Sequence, residues 1–223
     1  MTGKKPLAAV FGCSGPELTM AESDFFRDED PFGFILFARN CRTPDQVRAL
    51  TNAMREAVGR AAAPVLIDQE GGRVARLRPP HWRLPPSPAV FGRLAETDEA
   101  AAREAAHLNY RLMAAELERL GITVDCAPVL DAPGPGAEQI IGERAFAVTP
   151  ETVAALGRAA VEGLLAGGVL PVIKHIPGHG RALVDSHKEL PVVDASWNEL
   201  QRLDFAPFRA LRDAPWAMTA HVV

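Results

Sequence analysis

Between Val172 and Pro191 the chain reads V-I-K-H-I-P-G-H-G-R-A-L-V-D-S-H-K-E-L-P, a run that gathers His175, His179 and His187, half of its histidines, with Lys174 and Asp185. Imidazole titrates near neutral pH, and a carboxylate can fix its tautomer. His187 with Asp185 two residues before it is therefore a candidate proton donor and its orienting partner. The same two residues also suit a surface loop in which Asp185 caps a turn, and residue types alone leave both readings open. His175 and His179 have the four-residue spacing of zinc ligands on one helix face. Pro177, Gly178 and Gly180 exclude that helix, which argues against a metal held by His175, His179 and His187.

A second set follows an apolar run. Asp68 opens Asp68-Gln69-Glu70-Gly71-Gly72-Arg73, with Arg76 just beyond, and Arg144 sits in I-G-E-R-A-F. A carboxylate and guanidinium forks beside a glycine pair suit sugar hydroxyls or a ligand carboxylate, where bidentate bonds fix orientation. An Asp and Arg pair bracing a rim, or a rim salt bridge through Arg144, fits the same residues. Lys174 and His175 end an apolar strand, where an unmatched charge is costly unless a ligand or carboxylate meets it.

The elements that must position these groups alternate. Leu7 to Phe11, Gly33 to Ala38, Pro64 to Ile67, Ile122 to Val124, Leu170 to Ile173 and Trp216 to Val223 read as strands. Helices start at Thr43-Pro44-Asp45-Gln46, a capping box, at Asp98, at Thr149-Pro150, and at the capping box Ser196-Trp197-Asn198-Glu199, the last interrupted at Pro207. The helix from Asp98 to Leu120 is expected to bury Ala101, Ala105, Leu108 and Leu112, with Met113, Leu117 and Leu120 beside them, and the helix from Pro150 to bury Val153, Leu156, Ala160 and Leu164. Pro79 to Pro88 reads as irregular loop. Continuous apolar strands are buried on both faces, which argues for a parallel sheet. Arg39, Asp68, Asp125, Lys174, His175 and His221 all fall at or near strand C-termini, where a (β/α)8 TIM barrel builds its active site. Six of the eight strands are visible. An open doubly wound sheet would concentrate ligands at one switch point, and no G-x-G-x-x-G follows a strand. The whole of residues 1–223 is expected to be one domain.

Composition narrows the partners. Twenty-four Lys and Arg against 28 Asp and Glu leave a net charge of −4 with no basic block, which argues against nucleic acid. Cys13, Cys41 and Cys126 have no motif spacing and suit reduced thiols in a cytoplasmic protein. Lys4 and Lys5 precede Leu7 to Gly12, but that run is too short for a signal-peptide core and reads as a first strand. No stretch reaches the roughly 20 apolar residues of a membrane span.

K-H-I-P-G-H-G, then D-S-H and L-P, preceded by I-D-Q-E-G-G-R-V, D-C-A-P-V-L-D and I-G-E-R-A-F, resemble in order the bacterial β-N-acetylhexosaminidases of glycoside hydrolase family 3. The resemblance implies a cytoplasmic barrel enzyme of peptidoglycan recycling, monomeric when complete. It would remove N-acetylglucosamine from 1,6-anhydro-muropeptides with retention and without metal or organic cofactor. It further implies that His187 is the acid/base and Asp185 its partner, and that Asp68, Arg76, Arg144, Lys174 and His175 contact the sugar. A histidine departs from the carboxylate pair usual in retaining glycosidases.

The resemblance also places the nucleophilic Asp in a segment like S-D-D-L, after the strand holding Thr219-Ala220-His221 and so beyond Val223. The expectation is of the first two-thirds of the enzyme, which alone exposes apolar edges and releases no 4-nitrophenol from the corresponding N-acetylglucosaminide. Two other readings remain. A metal-dependent barrel hydrolase would retain stoichiometric zinc after dialysis. A non-catalytic sugar-binding remnant would show a natural stop in the DNA after codon 223.

Overall fold

The computed structural model describes residues 5–134, 141–182 and 190–223. Asp185 and His187 lie outside the described residues. The described strands are β1 (Leu7–Phe11), β2 (Pro31–Leu36), β3 (Val65–Ile67), β4 (Gln69–Gly71), β5 (Val74–Ala75), β6 (Val124–Asp125), β7 (Leu170–Ile176) and β8 (Trp216–Thr219). Six of them form one parallel sheet in the order β1-β2-β3-β6-β7-β8, while β4 and β5 make a separate antiparallel hairpin. The sheet curls into a half barrel, in agreement with the expected barrel architecture. Between its strands run α1 (Met20–Glu29), α2 (Pro44–Ala57), α3 (Pro88–Ala95), α4 (Glu99–Glu118) and α5 (Pro150–Ala166). None of the described helices is long and apolar enough to cross a membrane.

Strand alternation divides the core in two. Leu66, Val124, Cys126 and Val172 pack together inside the curl, with Trp216 and Met218 against them. Val65, Ile67 and Ile173 point the other way and join the helices in the main core. Because side chains repeat every two residues, Asp68 continues the face of Leu66, and Lys174 the face of Val172. The two opposite charges therefore end up above the same inner cluster. At the sheet edges, Leu7 and Val10 of β1 are exposed, and Trp216 of β8 leans on Phe32, ring centroids 5.8 Å apart.

Several elements differ from expectation. α1 is not among the expected helices, although Thr19 and Glu22 form a full capping box at its start, a T-x-x-E signature visible in the chain. Thr43 caps α2 through the Gln46 N–H, but the Gln46 side chain does not close the box. It accepts from the Arg42 N–H and donates to the carbonyls of Pro16 and Asn40 instead. Thr149 makes no cap bond; its hydroxyl meets that of Thr152. The capping box at Ser196 forms, but a short π turn over Leu200–Asp204 follows, and Pro207 sits in the first turn of a new short helix rather than interrupting one. β8 stops at Thr219.

The largest correction concerns α4. Leu108 and Leu112 are exposed, and the buried face is Ala102, Ala106, Tyr110, Met113, Ala114 and Leu117. Alanines enter this face where α5 comes very close: a Cβ on Gly163 would lie 2.4 Å from the His107 carbonyl oxygen, and one on Gly167 2.3 Å from the Ala114 Cβ. Close backbone approach selects Ala and Gly over Leu, which a hydrophobicity stripe cannot register. On α5, Val153, Leu156, Ala160 and Leu164 are all buried as expected.

Candidate active site

The strand exits bring five charged side chains into one chain of contacts. Lys174 Nζ lies 2.6 Å from Glu70 Oε1 and 3.0 Å from Asp68 Oδ1. Arg76 Nη2 donates to Asp68 Oδ2 at 3.0 Å, and Arg144 holds Glu70 with two parallel bonds of 2.8 Å. Asp68, Arg76, Lys174 and Arg144, named from sequence at three separate places, are thus brought together. Glu70 joins them, a residue the sequence reading did not single out. Its side chain is 1% exposed, and it bridges Lys174 to Arg144.

Exposure grades the cluster. Lys174 and Glu70 are sealed beneath it, whereas Asp68, Arg76 and Arg144 keep 17%, 27% and 20% of their side-chain surface. Burial alone would raise both carboxyls, but Lys174 with Arg76 holds Asp68 below its ordinary value, and Lys174 with Arg144 does the same for Glu70. Burial pulls the Lys174 ammonium down, yet Glu70 and Asp68 outweigh it and push the group up to about 12. Three cations facing two carboxylates leave one positive charge at the mouth of the curl.

Gln69 supports this cluster from below. It is 1% exposed; its carbonyl accepts from the backbone N–H groups of Arg76 and Leu77, and its amide donates to the Leu77 carbonyl. These bonds close the loop that returns Arg76 to Asp68. The Gln69 N–H donates at 3.0 Å to Oδ1 of Asp125, which is wholly buried and has no partner on Oδ2 among the described residues. Burial, with Asp68 and Glu70 nearby, raises the Asp125 carboxyl well above its ordinary value, only partly offset by the Gln69 N–H and Lys174.

A raised carboxyl pKa has a consequence for stability. Its folded pKa exceeds its unfolded one, so the native state loses stability as pH rises from the ordinary carboxylate range toward the folded value. Asp125→Asn keeps the acceptor for Gln69 and removes that loss. Urea unfolding should find the variant no less stable than wild type at about pH 5 and more stable at about pH 8. A deficit that grows with pH would mean that Asp125 is ionised.

The adjoining strand exit is built around Asp131. The Leu130 N–H donates to the Lys174 carbonyl at 2.7 Å, which sets the next residue, Asp131, beside His175. Asp131 Oδ2 lies 2.6 Å from His175 Nδ1, while Oδ1 accepts from the N–H groups of His179 at 2.6 Å and His175 at 3.4 Å. Burial would raise this carboxyl, but these bonds and the imidazole hold it below its ordinary value. Asp131 closes the D-C-A-P-V-L-D motif but is not among the site residues expected from sequence. Its position beside a strand that ends in histidine was the available signal. The rings of His175 and His179 are 5.9 Å apart. Among the described residues, no group of three or more His, Cys, Asp or Glu is arranged to hold a metal ion.

A curled parallel sheet with its ionisable groups gathered at the strand C-termini defines a barrel-type domain with a candidate active site at its mouth. The N-terminal domain model of glycosyl hydrolase family 3 matches residues 20–223, and the chain belongs to that family. It is 41% identical over 216 residues to a beta-hexosaminidase of Alkalilimnicola ehrlichii, covering 96% of this chain and 61% of that protein. It is 36% identical to NagZ from Neisseria gonorrhoeae, with a TM-score of 0.90 over 98% of this chain and 63% of that one. The complex of that NagZ with N-trifluoroacetyl-D-glucosamine matches with a TM-score of 0.91 at 36% identity, over 98% and 64% of the two chains. The chain therefore spans about three-fifths of the length of these relatives.

Proposed function

We propose that this chain supplies the larger part of the active site of a retaining exo-β-N-acetylglucosaminidase, cytoplasmic, that releases N-acetylglucosamine from 1,6-anhydro-muropeptides in peptidoglycan recycling. The observation that carries the reading is the joined cluster of Asp68, Arg76, Lys174, Glu70 and Arg144 at the strand exits, in a family whose member NagZ was solved with an N-acylglucosamine derivative. Asp68 keeps lone pairs for sugar hydroxyls, and Arg76 and Arg144 keep part of their side-chain surface for the acyl and hydroxyl oxygens. Lys174 holds Asp68 ionised from beneath, and His175 lies beside them.

In the proposed mechanism, an Asp that the resemblance puts after Val223 attacks the anomeric carbon. The bond from that carbon to the leaving oxygen breaks, and His187, oriented by Asp185, gives its proton to that oxygen. Neutral His187 then takes a proton from water as the water oxygen attacks the same carbon and the carboxylate departs. Atoms and charges balance without a redox step. A His–Asp pair delivers the proton near pH 7 without a strongly raised carboxyl.

The test uses a polypeptide containing this chain and the family's following segment. It should hydrolyse 4-nitrophenyl N-acetyl-β-D-glucosaminide and release the β anomer first. His187→Ala should lower kcat by about 10²–10⁴ with product affinity nearly intact. First release of the α anomer, or unchanged turnover in the variant, would overturn the reading.

A further inference from the structure

We infer that Asp131 is a positioning residue for His175, holding its imidazole in the tautomer with the proton on Nδ1 so that Nε2 meets a hydroxyl of the bound sugar as a hydrogen-bond acceptor. The identity of the ligand rests on the proposed function; the tautomer does not.

Asp131 is completely buried, and both of its oxygens are committed. Oδ1 takes two backbone N–H groups, those of His175 and His179, and Oδ2 takes His175 Nδ1 at 2.6 Å. An ionised carboxylate only accepts, so Nδ1 must carry the hydrogen, and in the neutral ring Nε2 is left with a lone pair. The His175 side chain keeps 19% of its surface, so the ring still reaches the mouth of the curl. What it offers there matters because its neighbours are unbalanced. Lys174, Arg76 and Arg144 only donate, whereas each sugar hydroxyl has one proton to give. Asp68 and Nε2 of His175 are the acceptors that complete the set. Among the described residues, the charged and titratable groups near the pair include Lys174, next to His175 in the strand, Arg144 and Asp204, both within electrostatic range of Asp131, and the His179 ring.

Asp131→Asn isolates this role. The two backbone N–H groups are fixed donors, so the Asn carbonyl must keep the Oδ1 position, and its NH2 then faces Nδ1 of His175. Nδ1 must become the acceptor, which moves the proton to Nε2 and turns the sugar-facing nitrogen from acceptor to donor. Packing volume and both backbone bonds are retained.

The tautomer is read on the chain itself from long-range ¹H–¹⁵N spectra of ¹⁵N-histidine-labelled protein at about pH 8, above the ordinary imidazole range. The His175→Gln spectrum assigns the signal. Wild type should show Nδ1–H and Asp131→Asn should show Nε2–H. In the polypeptide active on the 4-nitrophenyl glycoside, the same variant should weaken inhibition by N-acetylglucosamine and raise KM about 10- to 100-fold, since a buried polar mismatch replaces a bond. A wild-type ring with Nε2–H would overturn the inference whether or not Asp131→Asn folds. A flipped tautomer with unchanged KM would overturn the positioning role. If no polypeptide hydrolyses the glycoside, the function and the sugar partner fall together, and the spectrum distinguishes that failure from a wrong tautomer.

Discussion

Lys174→Met is expected to cost about 3–5 kcal/mol of stability near neutral pH, a cost that grows as pH rises from the ordinary carboxylate range. The Lys174 side chain is 2% exposed, and its ammonium touches two carboxylates, one of them 1% exposed. Methionine fills nearly the same space and packs well, so little of the loss comes from a cavity. The loss comes from Glu70 and Asp68, which stay buried with Arg144 and Arg76 but without the ion that lies between them. In wild type both carboxyls have folded pKa values below their unfolded ones. Their contribution is therefore present above the ordinary carboxylate range and lost as pH falls through the folded values. Without Lys174, burial and mutual repulsion push both values up. Their contribution then declines as pH rises. The deficit of the variant in urea midpoint, relative to wild type at the same pH, should widen from about pH 4 to about pH 7. Adding Glu70→Gln should restore part of the loss, because it removes the charge that Lys174 neutralised. A single variant as stable as wild type across that range would mean that these ion pairs contribute nothing.

This cluster also marks how far the sequence could be read. Asp68, Arg76, Arg144 and Lys174 are legible because each charge interrupts or follows an apolar strand or a glycine-flanked motif. Glu70 lies two residues after Asp68, in the same motif, but only the closed hairpin of β4 and β5 turns it under the cluster. Asp131 is hidden for a similar reason. Its partner His175 is distant in sequence, and the pairing of residues 128–130 with Lys174 sets the two side by side. The strand order followed from alternation of apolar runs with helices, but the buried face of α4 did not. There the neighbour's glycine, not the helix's own leucines, decides which side packs. Pairings across strand exits are the part of the site that depends on the fold, and they are what the sequence left open.

The same dependence gives Gly180→Ala a large expected effect on turnover, about 100-fold in kcat for the active polypeptide. A Cβ at this position would lie 1.9 Å from the Ala132 carbonyl oxygen and 2.5 Å from its carbon, both backbone atoms that cannot rotate away. Neither side can move freely. The Gly180 carbonyl accepts from the Gly134 N–H at 2.9 Å, the His179 N–H is held by Asp131, and Arg181 pairs with the nearly buried Asp204 at 2.8 Å. The backbone after Gly180 must shift, and that backbone leads directly into Asp185 and His187. Relief of such overpacking costs about 1–3 kcal/mol of stability. A misplacement of about 1 Å in a proton donor costs far more in rate than in folding. In the proposed site Asp68, Arg76 and Arg144 approach the sugar from other loops, so on that reading KM should change much less than kcat. Gly59→Ala supplies the contrast: its φ of 63° strains any side chain, but nothing lies within 4 Å of the added Cβ. It should cost about 1 kcal/mol and leave kcat unchanged. Wild-type kcat in Gly180→Ala would mean that the contact between these two loops does not govern the group that moves the proton.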